Sequence, residues 1–215
     1  SQILQEHLPE AAAEKLVCIS GPSFAKEVAM GLPTLITAAS GDHDSALAVQ
    51  KLMSNDRLRI YTHDDIIGVE VGGAVKNVVA IAAGISDGMG YGHNARAAII
   101  TRGLAEMTRL GKKMGGKEAS FAGLSGVGDL LLTASSELSR NRTVGFRLGK
   151  GEKISDILTG AKTVAEGVRT SRSIHELSQK VSVEMPLCSE VYYVCHENKD
   201  PKEAVKYLMT RRLKE

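Results

Sequence analysis

The stretch from Gly68 to Gly84, GVEVGGAVKNVVAIAAG, constrains this chain more than any other. It consists almost wholly of small and apolar residues, with one lysine, Lys76, in its middle. Steps of three or four from Lys76 reach Gly72, Gly73, Ala80, Ala83 and Gly84, so these residues share the lysine's face of a helix. Each helical glycine costs roughly 1 kcal/mol against alanine. A helix this rich in glycine therefore calls for something bulky packed close against it. A lysine on such a face sits in a crowded, poorly hydrated place, where its ammonium can do acid–base chemistry. The ordinary alternative is a lysine that snorkels to solvent from a buried helix.

Around this helix the chain divides in two. Before it, a helix over residues 2–15, a strand at 16–20, a short helix at 24–30, a strand at 34–39, a helix capped by Asp42 or Asp44 and a strand at 58–62 alternate in the rhythm of an α/β sheet. Three strands make only part of such a sheet, and residues 1–66 hold no glycine-rich phosphate loop. After His63 the strand signal vanishes. Helical spacing recurs at 66–86, 94–114, 117–122, beyond Ser139 to Arg147, and at 154–158, 169–179, 189–197 and 201–208. The expected fold is thus α/β plus all-α. Residues 1–66 read as the last strands of a partial Rossmann-type sheet, and residues 67–215 as an all-α second domain. The chain opens within what reads as a helix, as expected of a piece of a longer protein.

Composition narrows the function classes. Residues 1–66 carry 5 Lys/Arg against 9 Asp/Glu, and residues 67–215 carry 22 against 16. A modestly basic second part fits an anionic small molecule, but it is not the dense basic stripe of a nucleic-acid binder. Three cysteines without metal-ligand spacing suit a reducing cytoplasm. No uninterrupted run of 18 apolar residues argues for membrane insertion, and the six histidines form no metal spacing. The apolar stretch with Val183, Met185, Leu187, Val191 and Tyr192 is as compatible with a homodimer interface as with a core.

Three further segments can carry chemistry. Asp129 follows a glycine-rich approach and precedes Leu130-Leu131-Leu132, with Thr133 one turn later on the same face. It reads either as a helix cap or as a carboxylate delivered to a site. Ser139-Arg140-Asn141-Arg142 offers a hydroxyl, an amide and two guanidinium forks. That set suits a phosphate monoester, although a solvated polar turn has the same composition. Gly21-Pro22-Ser23-Phe24-Ala25 sits where a strand meets a helix start, the usual place for ligands in open α/β sheets.

Five runs, SGPSFAKE at 20–27, VGGAVKNV at 71–78, GVGDLLLT at 126–133, SRNR at 139–142 and VAEGV at 164–168, stand in the order and spacing of NAD(P)-dependent glycerol-3-phosphate dehydrogenases. The chain resembles this family over essentially its whole length, and its bacterial type most. The resemblance implies an oxidoreductase that interconverts dihydroxyacetone phosphate and glycerol 3-phosphate with NAD or NADP, supplying phospholipid synthesis. It implies that Lys76 moves the proton, accompanied by Asp129 and Thr133, with Asp129 orienting the lysine. Ser139, Arg140 and Asn141 then match the substrate-phosphate positions, and Gly21 and Ser23 match substrate-side positions of the turn. Ala25, Arg140, Val164 and Glu166 match cofactor contacts. The family's glycine-rich loop and a further substrate lysine have no counterpart here, so these 215 residues alone are expected to be inactive.

Two other readings compete. A 3-hydroxyacid or 6-phosphogluconate-type dehydrogenase shares the general plan and resembles G-x-x-x-K-x-x-x-N. Here Ala80 stands four residues beyond Lys76, and the asparagine, Asn77, is its immediate neighbour. A non-catalytic helical module, binding a partner through its glycine-rich faces, is the alternative from a different class.

Overall fold

The computed structural model describes residues 1–160 and 164–211. The chain forms two compact units, Ser1–Gly73 with Gly111–Asp129, and Ala74–Leu110 with Leu130–Glu215.

In the first unit, α1 (Gln2–His7) and α2 (Glu10–Ala13) precede β1 (Cys18–Ser20). The single helix expected over residues 2–15 is therefore two short ones. Pro9 lacks an N–H and disfavours helical backbone at the residue before it, and Leu8 is accordingly extended. Then come α3 (Ala25–Ala29), β2 (Thr34–Ala39), α4 (His43–Met53) and β3 (Leu58–His63). Asp42 caps α4, its carboxylate accepting from Ser45 N at 3.0 Å. The sheet has the order β1-β2-β3. β2 and β3 are parallel, with Thr34 opposite Leu58 and Ala39 opposite His63. β1 runs antiparallel to β2, Cys18 pairing with Ala39. Ile36, Ala38 and Ile60 form a small core with Val17, Val49 and Leu58. Among the described residues no strand follows β3. The fold is therefore a partial Rossmann-type sheet followed by a helical part.

The helical part contains α5 (Ile66–Gly88), α6 (His93–Lys113), α7 (Glu118–Phe121), α8 (Asp129–Ser135), α9 (Arg140–Gly149), α10 (Ile154–Thr159), α11 (Glu166–Lys180), α12 (Pro186–His196) and α13 (Pro201–Thr210). The expected division fell between residues 66 and 67. Contact between residues groups the chain into compact units that meet in sequence within α5, with Gly111–Asp129 in the unit that holds the sheet. Close packing explains that membership. Gly72 of α5 lies against the backbone of Ser125, and the Phe121 ring sits on Gly111. By length and composition α5 is apolar enough to cross a bilayer. Here it is a core helix, with Val75 and Val78–Ala83 buried. Met185, Leu187 and Val191, the stretch equally suited to an interface, are buried in the second unit.

Candidate active site

The helix that carries Lys76 is fixed at its start by Asp65. This carboxylate accepts from Gly68 N at 2.8 Å, from Lys117 N at 2.7 Å and from the Ser120 hydroxyl. Burial, the largest single influence, pushes the Asp65 carboxyl up. The three hydrogen bonds together outweigh it and hold the group below its ordinary value. An ionised Asp65 thus caps the start of α5.

Further along, within the second unit, small residues let α9 lie directly on α5. A Cβ at Gly84 would overlap the carbonyl oxygen of Arg142 and stand 2.8 Å from Phe146 N. In return, a Cβ at Gly145 or Gly149 would overlap the Ile81 or Ile85 carbonyl of α5. The bulky neighbour that the glycine content called for is therefore helix backbone. The remaining face that Lys76 shares is not open to a ligand along its full length. Ala80 and Ala83 are fully buried and pack with Ala134, Ile99 and Ile100. Lys76 itself is half-buried.

This close approach brings the start of α9 beside the lysine. Ser139 caps α9, its hydroxyl accepting from Arg142 N at 3.2 Å. Asn141 donates through Nδ2 to Asn77 Oδ1 at 2.9 Å, and its Oδ1 accepts from Gly167 N at 2.9 Å. A backbone N–H can only donate, so the amide must present its oxygen to Gly167 and its NH2 to Asn77. Asn141 thereby ties α9 to α5 one residue from Lys76, and to the first turn of α11. Gly167 has to be glycine at this junction, because a Cβ would stand 2.7 Å from both Asn141 Oδ1 and the Asn77 carbonyl.

Successive residues of a helix point about 100° apart, and the start of α9 uses this to send three side chains in three directions. Asn141, 5 % exposed, faces Asn77. Arg140 is half-exposed and pairs with Glu166 at 3.5 Å. Arg142 does not add the second phosphate-directed guanidinium that its place in the cluster suggested. Its Nε and an Nη bond Asp87 Oδ2 at 2.9 and 2.7 Å, and the other carboxylate oxygen takes Arg96. Asn77, Asp87 and Gly167 carry this geometry without having stood out in sequence. Asn77 and Gly167 lay inside recognised runs, but nothing in their spacing announces a hydrogen bond between helices.

The other expected residues are placed as follows. Thr133 is buried on α8 in the second unit, and Val164, just before α11, is exposed. Asp129, the first residue of α8, is 2 % exposed and belongs to the first unit. Gly21, Ser23 and Ala25 also belong to the first unit. Gly21 has φ +147°, and a Cβ there would come within 3.0 Å of Ile36 Cα. The exposed Ser23 donates to Gly21 O at 3.0 Å, and Ala25 is exposed at the start of α3. Burial drives the Cys188 thiol well above its ordinary value and the Cys195 thiol up to about 12, so neither is an available nucleophile. Among the described residues no group of three or more His, Cys, Asp or Glu is arranged to hold a metal.

Residues 65–206 match the family model for the C-terminus of NAD-dependent glycerol-3-phosphate dehydrogenase, and residues 1–46 match the model for its N-terminus. The chain belongs to the NAD-dependent glycerol-3-phosphate dehydrogenase family. Curated family members named glycerol-3-phosphate dehydrogenase [NAD(P)+] include those of Syntrophotalea carbinolica, 54% identical, and Trichlorobacter lovleyi, 56% identical, each over 100% of this chain. The chain spans 64% of the length of both relatives. The crystal structure of the Coxiella burnetii glycerol-3-phosphate dehydrogenase superposes with a TM-score of 0.88 at 45% identity, covering 91% of this chain and 60% of that one. A yeast glycerol-3-phosphate dehydrogenase superposes at 0.80 with 26% identity, covering 96% of this chain and 62% of that one. None of these relatives is a 3-hydroxyacid dehydrogenase or a non-catalytic module.

Proposed function

We propose that this protein interconverts dihydroxyacetone phosphate and sn-glycerol 3-phosphate, using NAD or NADP. The observation that carries the reading is the hydrogen bond from Asn141 to Asn77. It holds a phosphate-suited helix start one residue from a half-buried lysine, within one compact unit. In this reading Ser139, Arg140 and Asn141 grip the phosphate through helix-start N–H groups and the Arg140 fork. Lys76 stabilises and protonates the alkoxide that develops on the ketone oxygen, and takes the proton back in the reverse direction. Thr133 accompanies Lys76. Asp129, Gly21 and Ser23 are assigned to the same chemistry by family resemblance.

The residues present fit a nicotinamide cofactor in part. Arg140 and Glu166, each half-exposed, and the exposed Val164 offer surface for a nucleotide, and Ala25 is assigned to the cofactor by family resemblance alone. Ala165, the N-cap of α11, has no side chain that could cap it, and of the first-turn N–H groups that of Gly167 is taken by Asn141. Residues 1–66 contain no glycine-rich loop to cradle a pyrophosphate. When bound, the cofactor supplies or accepts the hydride at C2. We assign residues 1–66 to the end of the dinucleotide-binding domain and residues 67–215 to the substrate domain. The break between the two family models, at residues 46 and 65, supports that division. A cytoplasmic enzyme that does not insert into membrane completes the proposal, supported by α5 being a core helix.

The test is dihydroxyacetone phosphate-dependent oxidation of NADH or NADPH by the full-length protein and its Lys76→Ala variant. The variant should bind cofactor nearly as the parent does and lose turnover by orders of magnitude, on the order of 10²–10⁴-fold for loss of a general acid. Turnover retained in the variant would remove Lys76 from the mechanism.

A further inference from the structure

A charge cluster in the second unit is left unused by the proposed chemistry. Asp87, near the C-terminal end of α5, has a side chain only 5 % exposed, yet two arginines from other helices converge on it. Arg96 of α6 places Nε and an Nη at 2.9 and 2.8 Å from Oδ1. Arg142 of α9 places the same pair of nitrogens at 2.9 and 2.7 Å from Oδ2. Each carboxylate oxygen is thus taken by one guanidinium, and Asp87 is saturated. The Arg142 side chain is 13 % exposed, so little solvent competes for it.

Arg142 is also bound at its backbone, because its N–H makes the capping bond to Ser139 Oγ. The first turn of α9 therefore has two side-chain anchors on α5, Asn141 on Asn77 and Arg142 on Asp87. Just before them stands Arg140, the guanidinium of this turn left half-exposed. Two anchors at successive helical positions fix both the axial position and the rotation of the turn, which a single hydrogen bond does not.

We propose that Asp87 is a positioning residue for phosphate recognition. By clamping Arg142 it sets the rotation at which Ser139, Arg140 and Asn141 meet the phosphate, and keeps a second guanidinium away from it. The inference rests on the function proposed above. It is tested in full-length protein whose parent form has first been shown to reduce dihydroxyacetone phosphate, so that failure of that reading is seen separately.

Asp87→Asn keeps the size of the side chain but loses its charge and half of its acceptor capacity. It should raise KM for dihydroxyacetone phosphate about 10- to 100-fold, the scale of a misplaced contact. It should leave kcat nearly unchanged, because a grip shared by ground and transition states is what it weakens. With dihydroxyacetone, the same ketone without the phosphate, the variant should match the parent in kcat/KM. Asp87→Glu should recover part of the lost affinity. If Asp87→Asn does not fold, Arg142→Lys carries the test, with a smaller KM rise confined to the phosphorylated substrate. An unchanged KM in these variants overturns the proposal. So does an equal loss on both substrates, which is the signature of general structural damage.

Discussion

Arg140 and Arg142 are two residues apart and chemically identical, and their surroundings give them opposite parts. Arg142 is enclosed and clamped by Asp87, whereas Arg140 is half-exposed beside Glu166 at 3.5 Å. An exposed ion pair of that kind adds little stability, so Arg140→Ala should leave the thermal midpoint nearly unmoved. It should raise KM for dihydroxyacetone phosphate about 10- to 100-fold, the loss of charge-assisted hydrogen bonds worth ~1.5–3 kcal/mol. Steady-state kinetics beside a melting curve would check both parts, and an unchanged KM would return Arg140 to a solvated polar turn. In the sequence both arginines read as phosphate forks. Their separation needed the third helix position and the partner it faces, which no local pattern contains.

At the scale of elements, α5 and α9 meet through glycines on both sides, and that contact sets the distance from Ser139–Asn141 to the lysine helix. In an open helix interior, Gly→Ala stabilises by about 1 kcal/mol. At Gly84 the new Cβ would overlap the backbone of α9, so Gly84→Ala should instead destabilise by about 1–3 kcal/mol. Urea denaturation would measure this, and a stabilised variant would mean that α9 does not lie this close. The start of α12 depends on a buried carboxylate. Glu106, inaccessible to solvent, accepts from Leu187 N at 2.9 Å and Cys188 N at 3.1 Å. Burial is the largest influence on its carboxyl and holds it above the ordinary value of 4.5, against the pull of those N–H groups and Arg102. The folded state therefore binds this proton more tightly than the unfolded state. Stability from this group is fullest below 4.5 and declines as pH rises from there through the raised folded value. In melting curves taken across that range, the parent should lose ground to Glu106→Gln as pH rises. Parallel curves would contradict the assignment. The glycine spacing of α5 was legible in sequence as a need for close packing, but what packs there was not. Pro9, by contrast, was a readable break in the first helix, and the amphipathic pattern on either side of it masked the break.

At the scale of the whole molecule, the chain combines the lysine helix and the phosphate-suited turn with three strands among the described residues and no glycine-rich phosphate loop in residues 1–66. It should therefore oxidise no measurable NADH with dihydroxyacetone phosphate when prepared alone. Activity in that preparation would show that the pyrophosphate cradle is dispensable or supplied elsewhere in the chain. The order of elements, the end of strand structure at His63 and the family are properties of the sequence by itself. Periodicity, capping residues and ordered motifs are local signals, and each is expressed within a few residues of where it is written. What only the tertiary structure decided is which of those residues meet. Asn77 with Asn141, Gly167 with both, and Asp87 with Arg96 and Arg142 are pairs 9 to 90 residues apart, joined by side-chain amides and carboxylates or by backbone. Their partners are set by how closely one helix lies on the next, and that distance is a property of the packed whole.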